Sequence, residues 1–342
     1  MARERPSAWC VWIAALLVSA ACGALRGDEP ARSPGGGPPD AASRPFRPAD
    51  FQLYYGGDPA LVRALLERIE AGQVTVVETA ALTPADLAAL IERSQKAGAK
   101  VLAYLSIGEL HDDHEPKFRQ FLEKHLAGRK EAKRFPTLDA LTVSRNEKFH
   151  TRRVDALAQP WRAYVQAEAD RLYALGVHGL FLDTVDTVDV CISREPWPLD
   201  RRIESVRAMM SLIRQIKAAR PEGFVLQNRG LNLIGRTVFD AVGKEIAGLN
   251  MARDHAGNPD GILWENAFAA DDAWTRLKET ELAEIQSAGQ RTVFAQGYEE
   301  THPSRADFFQ KCAAAGFIAA WATSSERLHE ELTSGPPRRA GK

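Results

Sequence analysis

From residue 51 onward, short apolar runs alternate with longer stretches in which apolar residues recur at helical spacing. The first kind predicts β-strand and the second amphipathic α-helix, because side chains repeat every two residues along a strand and every 3.6 along a helix. Phe51-Gln52-Leu53-Tyr54-Tyr55 is the first strand, stopped by Gly56-Gly57. Leu61, Leu65, Leu66 and Ile69 share one face of a helix over Leu61–Ala71, and Val74–Glu78 is the second strand. Thr83 and Pro84 with Asp86 open a capped helix that ends near Gly98, and Lys100–Ser106 is the third strand. A helix over Trp161–Leu175, closed by Gly176, leads to the fourth strand, Gly179–Asp183. A helix over Glu204–Arg220 leads to the fifth, Phe224–Asn228, and the sixth is Gly261–Glu265. Helices over Asp272–Ala288 and Ser304–Ala315 precede the seventh strand, Arg291–Ala295, and the eighth, Phe317–Trp321.

Two polar segments interrupt the alternation. Gly108 to about Gln159 contains a helical part, Phe118–Leu126, and a short extra strand near Arg153-Val154-Asp155; residues 229–260 are rich in Gly, Asn and Asp. Mostly apolar strands separated by helices imply a parallel sheet covered on its faces. Eight such units over residues 49–330 fit a single α/β domain, a (β/α)8 TIM-type barrel with elaborated loops after strands three and five. An open doubly wound sheet is the alternative; no strand is followed by GxGxxG or GxxxxGK[ST], which removes support from its nucleotide-binding forms.

The flanks differ in composition. Arg3 and Arg5 precede an apolar run, Ala8–Ala21, shorter than the roughly 20 residues a membrane-spanning helix needs. It fits the core of an export signal, and Ala20-Ala21-Cys22-Gly23 resembles a bacterial lipoprotein signal with Cys22 as the lipidated residue; Ser19 stands where such signals usually carry Leu. Release after simple cleavage is the alternative. Residues 23–48, with Ser33-Pro34-Gly35-Gly36-Gly37-Pro38-Pro39, predict a disordered tether, and residues 331–342 a disordered tail. Lys plus Arg number 44 and Asp plus Glu 45, so no basic field points to nucleic acid. Of the cysteines, only Cys191 and Cys312 fall in the folded part; Cys312 sits in an apolar helical pattern and predicts a buried thiol, a disulfide with Cys191 being the alternative. No metal spacing appears, and His111 and His114 lie in a polar loop. A monomer without cofactor is expected.

In a barrel of this kind chemistry is built at the C-terminal ends of the strands. Those ends deliver Tyr54 and Tyr55, Glu78, Tyr104 and Ser106 with Glu109 beyond, Asp183 and Asp186, Gln227 and Asn228, Trp264 and Glu265, Gln296 and Tyr298, and Trp321. Carboxylates, amides and aromatic rings together suit sugar chemistry: two carboxyls flank a glycosidic bond, amides bond hydroxyls, and ring faces stack on sugars. Singly, each has a plainer role: Glu78 and Asp186 as caps, Trp264 packed outward under a helix.

These residues resemble glycoside hydrolase family 114, the endo-α-1,4-polygalactosaminidase group. The matching pieces are Tyr54-Tyr55-Gly56, Leu102 to Glu109 (LAYLSIGE), Gly179 to Asp186 (GLFLDTVD), Gln227-Asn228, and Asp260 to Glu265 (DGILWE). The resemblance implies a barrel hydrolase of galactosamine-containing polysaccharide with catalytic carboxylates at Asp183 and Glu265. It places Tyr104, Glu109, Asp186, Gln227 and Asn228 in the cleft, and strand ends add Tyr55, Tyr298 and Trp321 as substrate contacts. Glu265 is expected to be the general acid/base, a role that needs its pKa raised by burial, and Asp183 the nucleophile or charge stabiliser, the reversed assignment being the alternative. The chain departs from the family pattern in Arg229 and the long insertion that follows, with Lys244, Glu245, Asn250, Arg253, Asp254 and His255. A non-catalytic carbohydrate-binding lipoprotein on the same scaffold is the rival reading; a metal-dependent deacetylase is disfavoured because the strand ends carry no His/Asp ligand set.

Overall fold

A computed structural model describes residues 46–126, 137–194, 197–234, 238–239, 245–246 and 259–336. The expected signal, Cys22 and the tether up to residue 45 lie outside these residues, as do Lys244, Asn250, Arg253, Asp254 and His255 of the insertion.

The eight strands expected are all present. β1 (Asp50–Tyr54), β2 (Gln73–Val77), β3 (Lys100–Ser106), β4 (Gly179–Asp183), β5 (Phe224–Asn228), β6 (Gly261–Glu265), β7 (Thr292–Tyr298) and β8 (Ile318–Ala322) form one parallel sheet in sequential order. α-Helices lie between successive strands, giving a (β/α)8 barrel, except between β5 and β6, where the described residues hold only the 3-10 turn Leu231–Leu233 and two short strands. Local chemistry sets the helix ends. The Thr83 side chain caps the helix Pro84–Ala97 by accepting from Asp86 N, and Gly98 ends it at φ 70°. Ser304 and Gly316 (φ 73°) do the same for Arg305–Ala315.

Strand parity decides which side chains enter the barrel. Phe51, Leu53, Leu102, Phe181, Leu226 and Leu263 fill its interior, while Leu180, Leu182, Val225, Ile262, Trp264 and Val293 pack outward in the larger cluster shared with the helices. Burial of each such side chain stabilises by about 1.5–3 kcal/mol. A one-residue slip would turn every one of them to the other face, so the register is firmly set. The interior rows end, at the C-terminal side, in the next inward positions: Tyr55, Tyr104, Asp183, Asn228, Glu265 and Tyr298.

The seam between β8 and β1 is bridged by the chain that follows. Trp321 and Ser334 exchange backbone hydrogen bonds of 2.9 and 2.8 Å, Thr333 N–H donates to Leu53 O at 3.4 Å, and Leu53 N–H donates to Thr333 Oγ1 at 2.9 Å. The domain therefore extends past the expected boundary at 330, because the seam's backbone groups need partners that the two edge strands do not give each other there. Thr333 is fully buried. Thr333→Val keeps its shape but orphans the Leu53 N–H, and should lower the stability measured by urea unfolding by about 1–3 kcal/mol. An unchanged midpoint would mean that the seam closes without this bond.

After β3 the chain adds a small antiparallel sheet of Glu109–His111, Thr142–Asn146 and Thr151–Val154. Only the last of these had a sequence signal, and it stops at Val154 because the Asp155 carboxylate turns to accept from Leu157 N. Cys191 and Cys312 are both free and buried, burial pushing each thiol up to about 12.

Candidate active site

Three neighbouring strands, β4, β5 and β6, each end on a polar inward residue followed by a non-glycine residue in the left-handed region. Asp183 precedes Thr184 (φ 61°), Asn228 precedes Arg229 (φ 54°), and Glu265 precedes Asn266 (φ 57°). Such backbone costs about 1–3 kcal/mol per residue and persists where surrounding bonds hold it, commonly at functional sites. Here those bonds are visible. Thr184 Oγ1 accepts from Gly108 N at 2.9 Å, Arg229 N donates to Leu263 O at 3.0 Å, and Asn266 Oδ1 accepts from Thr301 Oγ1 at 2.5 Å.

The corners aim the three side chains at one point. Asn228 Nδ2 donates to Asp183 Oδ1 at 2.8 Å and to Glu265 Oε2 at 2.9 Å. Tyr104 Oη donates to Asp183 Oδ2 at 2.7 Å, and Tyr298 Oη donates to Glu265 Oε1 at 2.8 Å. Tyr55 packs edge-on to Tyr104, ring centroids 5.3 Å apart. Burial raises all three phenols well above their ordinary value, and the neighbouring carboxylates add to the effect. They therefore act as hydrogen-bond donors and apolar walls.

The two carboxyls differ in charge preference. Burial and then the Glu265 charge raise Asp183, against the pull of the Tyr104 and Asn228 hydrogen bonds. Burial also pushes Glu265 up, but Arg229, Asn228 and Tyr298 together outweigh it and hold Glu265 below its usual value. This corrects the expectation that burial would raise Glu265. The cause is Arg229, whose Nε donates to Glu265 Oε2 at 2.8 Å and whose Nη1 lies 3.3 Å from Asp186 Oδ2.

Of the expected contacts, Tyr104, Asn228 and Tyr298 bond the pair directly, Tyr55 joins through its ring contact with Tyr104, and Asp186 joins through Arg229. Three others do not. Trp321 faces outward, packed on Phe308, Phe309 and His302, because on β8 the inward positions are Ala320 and Ala322. Gln227 also points away from the barrel axis, buried, its Nε2 donating to Arg229 O at 2.9 Å. Glu109 is nearly fully buried and ties down the added sheet, through Arg153 at 3.1 Å and through Asn146 and Thr151. Glu78 serves as a cap, accepting from Ala80 N.

The two long matched pieces are laced together beneath the carboxyls. Ser106 Oγ meets Thr184 Oγ1 at 2.8 Å, Ile107 N donates to Asp183 O at 3.0 Å, and Thr187 Oγ1 donates to Gly108 O at 3.2 Å. Trp161, fully buried, supports the turn from below by donating to Ile107 O at 2.9 Å.

With this geometry in hand, the comparisons agree on one architecture. The profile of glycoside-hydrolase family GH114 matches residues 38–317. The glycoside hydrolase domain of PelA from Pseudomonas aeruginosa is 22% identical with a TM-score of 0.50, over 81% of this chain and 96% of that one. Ega3 of Aspergillus fumigatus, solved in complex with galactosamine, is 13% identical with a TM-score of 0.52, over 85% of this chain and 95% of that one. At such identities the two structures speak for the fold. No curated protein matches the chain.

Proposed function

Because the chain belongs to glycoside-hydrolase family GH114, we propose that this hydrolase cleaves, within the chain, an α-1,4-linked polysaccharide containing galactosamine or N-acetylgalactosamine, with Asp183 and Glu265 as its catalytic pair. The carrying observation is the amide of Asn228, shared by both carboxyls. One nitrogen reaches an oxygen of each, so those two oxygens lie no more than about 5.7 Å apart. The bound holds for the facing oxygens rather than for the carboxyl centres; bridging by a single nitrogen favours double displacement, for which carboxyls stand roughly 5–5.5 Å apart, over inversion, which needs roughly 6.5–9.5 Å to admit a water. In the first step one carboxylate bonds to the anomeric carbon as the glycosidic C–O bond breaks, and the other carboxyl gives its proton to the leaving oxygen. In the second, the latter takes a proton from water, whose oxygen replaces the enzyme on the sugar. Ega3 binds galactosamine in its solved structure, which supports an amino sugar as the substrate unit.

The decisive assay is turnover. Incubation with partly deacetylated α-1,4-galactosaminan, beside chitosan, should release galactosamine-containing oligosaccharides from the first polymer only, read by mass spectrometry. Binding to galactosaminan with no products would instead favour the carbohydrate-binding protein.

The export signal belongs to the same proposal: lipidation at Cys22 would tether the hydrolase to the cell envelope through residues 23–48. Labelled palmitate should enter the wild type and be lost in Cys22→Ala. Incorporation that survives the substitution would remove Cys22 as the anchor.

A further inference from the structure

We propose that Arg229 is the positioning residue of this site: its guanidinium clamps Glu265 against Asp186 and so fixes both the orientation and the ionised state of Glu265. The inference rests on the reading of Glu265 as one of the catalytic pair. Nothing in the strand pattern required a cation here, yet the chain goes to some length to hold one. Arg229 occupies the left-handed region at φ 54°, followed by Gly230 at φ 60°. The corner is pinned on both sides, by Arg229 N to Leu263 O at 3.0 Å and by Gln227 Nε2 to Arg229 O at 2.9 Å. A side chain at 230 would strike Val185 Cγ1 at 2.4 Å, so the glycine lets the corner sit directly on the Asp183 loop. The buried Gln227, misplaced as a substrate contact, thereby gains a role: it fixes the backbone from which the guanidinium reaches inward.

The clamp uses the fork geometry of arginine. Nε bonds Glu265 Oε2 at 2.8 Å while Nη1 reaches Asp186 Oδ2 at 3.3 Å. Glu265 keeps only 14% of its side-chain surface accessible while Arg229 keeps 44%, so solvent reaches the pair from the arginine side. Apart from Arg229, burial and the Asp183 carboxylate oppose a charge on Glu265, while two hydrogen-bond donors support it. Asp183 on β4 and the phenol of Tyr55, just past β1, face it, Asp186 lies beyond the guanidinium, and Tyr298 on β7 and Asn228 on β5 donate to Oε1 and Oε2. Without Arg229, burial and the Asp183 charge would favour a neutral Glu265 against the Asn228 and Tyr298 hydrogen bonds alone. With it, the ionised form wins and Asp183 becomes the group with the raised pKa.

The test compares wild type, Arg229→Gln and Arg229→Lys, all of which share the same backbone demand. Glutamate carboxyls labelled with carbon-13 report the Glu265 titration by NMR, its signal assigned by its loss in Glu265→Gln. In Arg229→Gln the Glu265 midpoint should rise by about 1–3 pH units, the usual effect of an opposite charge within a few ångströms. Arg229→Lys should recover part of the shift, since a point charge cannot bridge both carboxylates. One limb of the pH profile of kcat/KM, which reports the free enzyme, should move up with it. Movement of the basic limb makes Glu265 the proton donor; movement of the acidic limb makes it the nucleophile or base. An unmoved Glu265 midpoint in a folded Arg229→Gln protein overturns the proposal. Failure to hydrolyse any galactosamine polymer would instead overturn the functional reading, and the NMR titration would still decide the role of Arg229.

Discussion

Asp183→Asn and Glu265→Gln are each expected to lower kcat by about 10²–10⁴-fold, the range over which a positioned acid, base or nucleophile acts. Initial rates on galactosaminan check this, and loss of activity by unfolding is separable because the two variants should move stability in opposite directions. Asp183 is raised by folding, chiefly through burial and then through the Glu265 charge. A carboxyl raised in this way favours the native state in its neutral form; that contribution is complete below the unfolded value and is lost as pH rises through the folded value. Asparagine stays neutral at every pH, so Asp183→Asn should match or exceed the wild-type Tm at pH 7. Glu265 is lowered, because Arg229 with the Asn228 and Tyr298 hydrogen bonds outweighs its burial. Its contribution is present above the unfolded value and lost as pH falls through the folded one. Glutamine cannot supply it, so Glu265→Gln should melt below the wild type at pH 7, and the gap should close in acid. An Asp183→Asn protein that keeps wild-type kcat would end its candidacy as a catalytic carboxyl.

The barrel was legible because each strand is a short apolar run between helices with clear stop signals, such as Gly98 and Gly316. The strand-end rule then brought forward Asp183, Asn228 and Glu265, since each follows apolar neighbours of known parity. It failed where the sequence offers no alternation. Phe317 to Ala322 is apolar throughout, so nothing marks Trp321 as an outward residue. Gln227 and Asn228 are both amides, and one strand can send only one of them inward. The added sheet escaped notice because Thr142–Asn146 has little apolar alternation and is held largely by pairing and by the contacts of Asn146 with Glu109 and of Ser144 with Arg153. The seam joins Leu53 to Thr333, 280 residues apart, a contact no local pattern encodes. Arg229 was visible only as a departure; its direction comes from a left-handed corner with no glycine at that position to announce it.

Gly108 shows how the two long matched pieces depend on each other, and Gly108→Ala is the second change with a large expected effect. A Cβ at 108 would lie 2.1 Å from Thr184 O and 2.6 Å from Thr187 Oγ1, so backbone rather than a flexible side chain must give way. Overpacking of this kind costs about 1–3 kcal/mol. The larger consequence is catalytic. Thr184 follows Asp183 directly and is bonded to Gly108 N at 2.9 Å, so pushing it away displaces Asp183 from the shared Asn228 amide. A misplacement of about 1 Å can lower kcat by about 10²-fold. Ser106→Ala supplies the contrast: it removes the 2.8 Å contact to Thr184 Oγ1 and the 2.6 Å donation to Glu109 O without adding bulk, and should cost about 1–3 kcal/mol and little activity. If Gly108→Ala kept full kcat while losing stability, Asp183 would be located by Tyr104 and Asn228 alone, and the glycine would serve only to let the two turns pass.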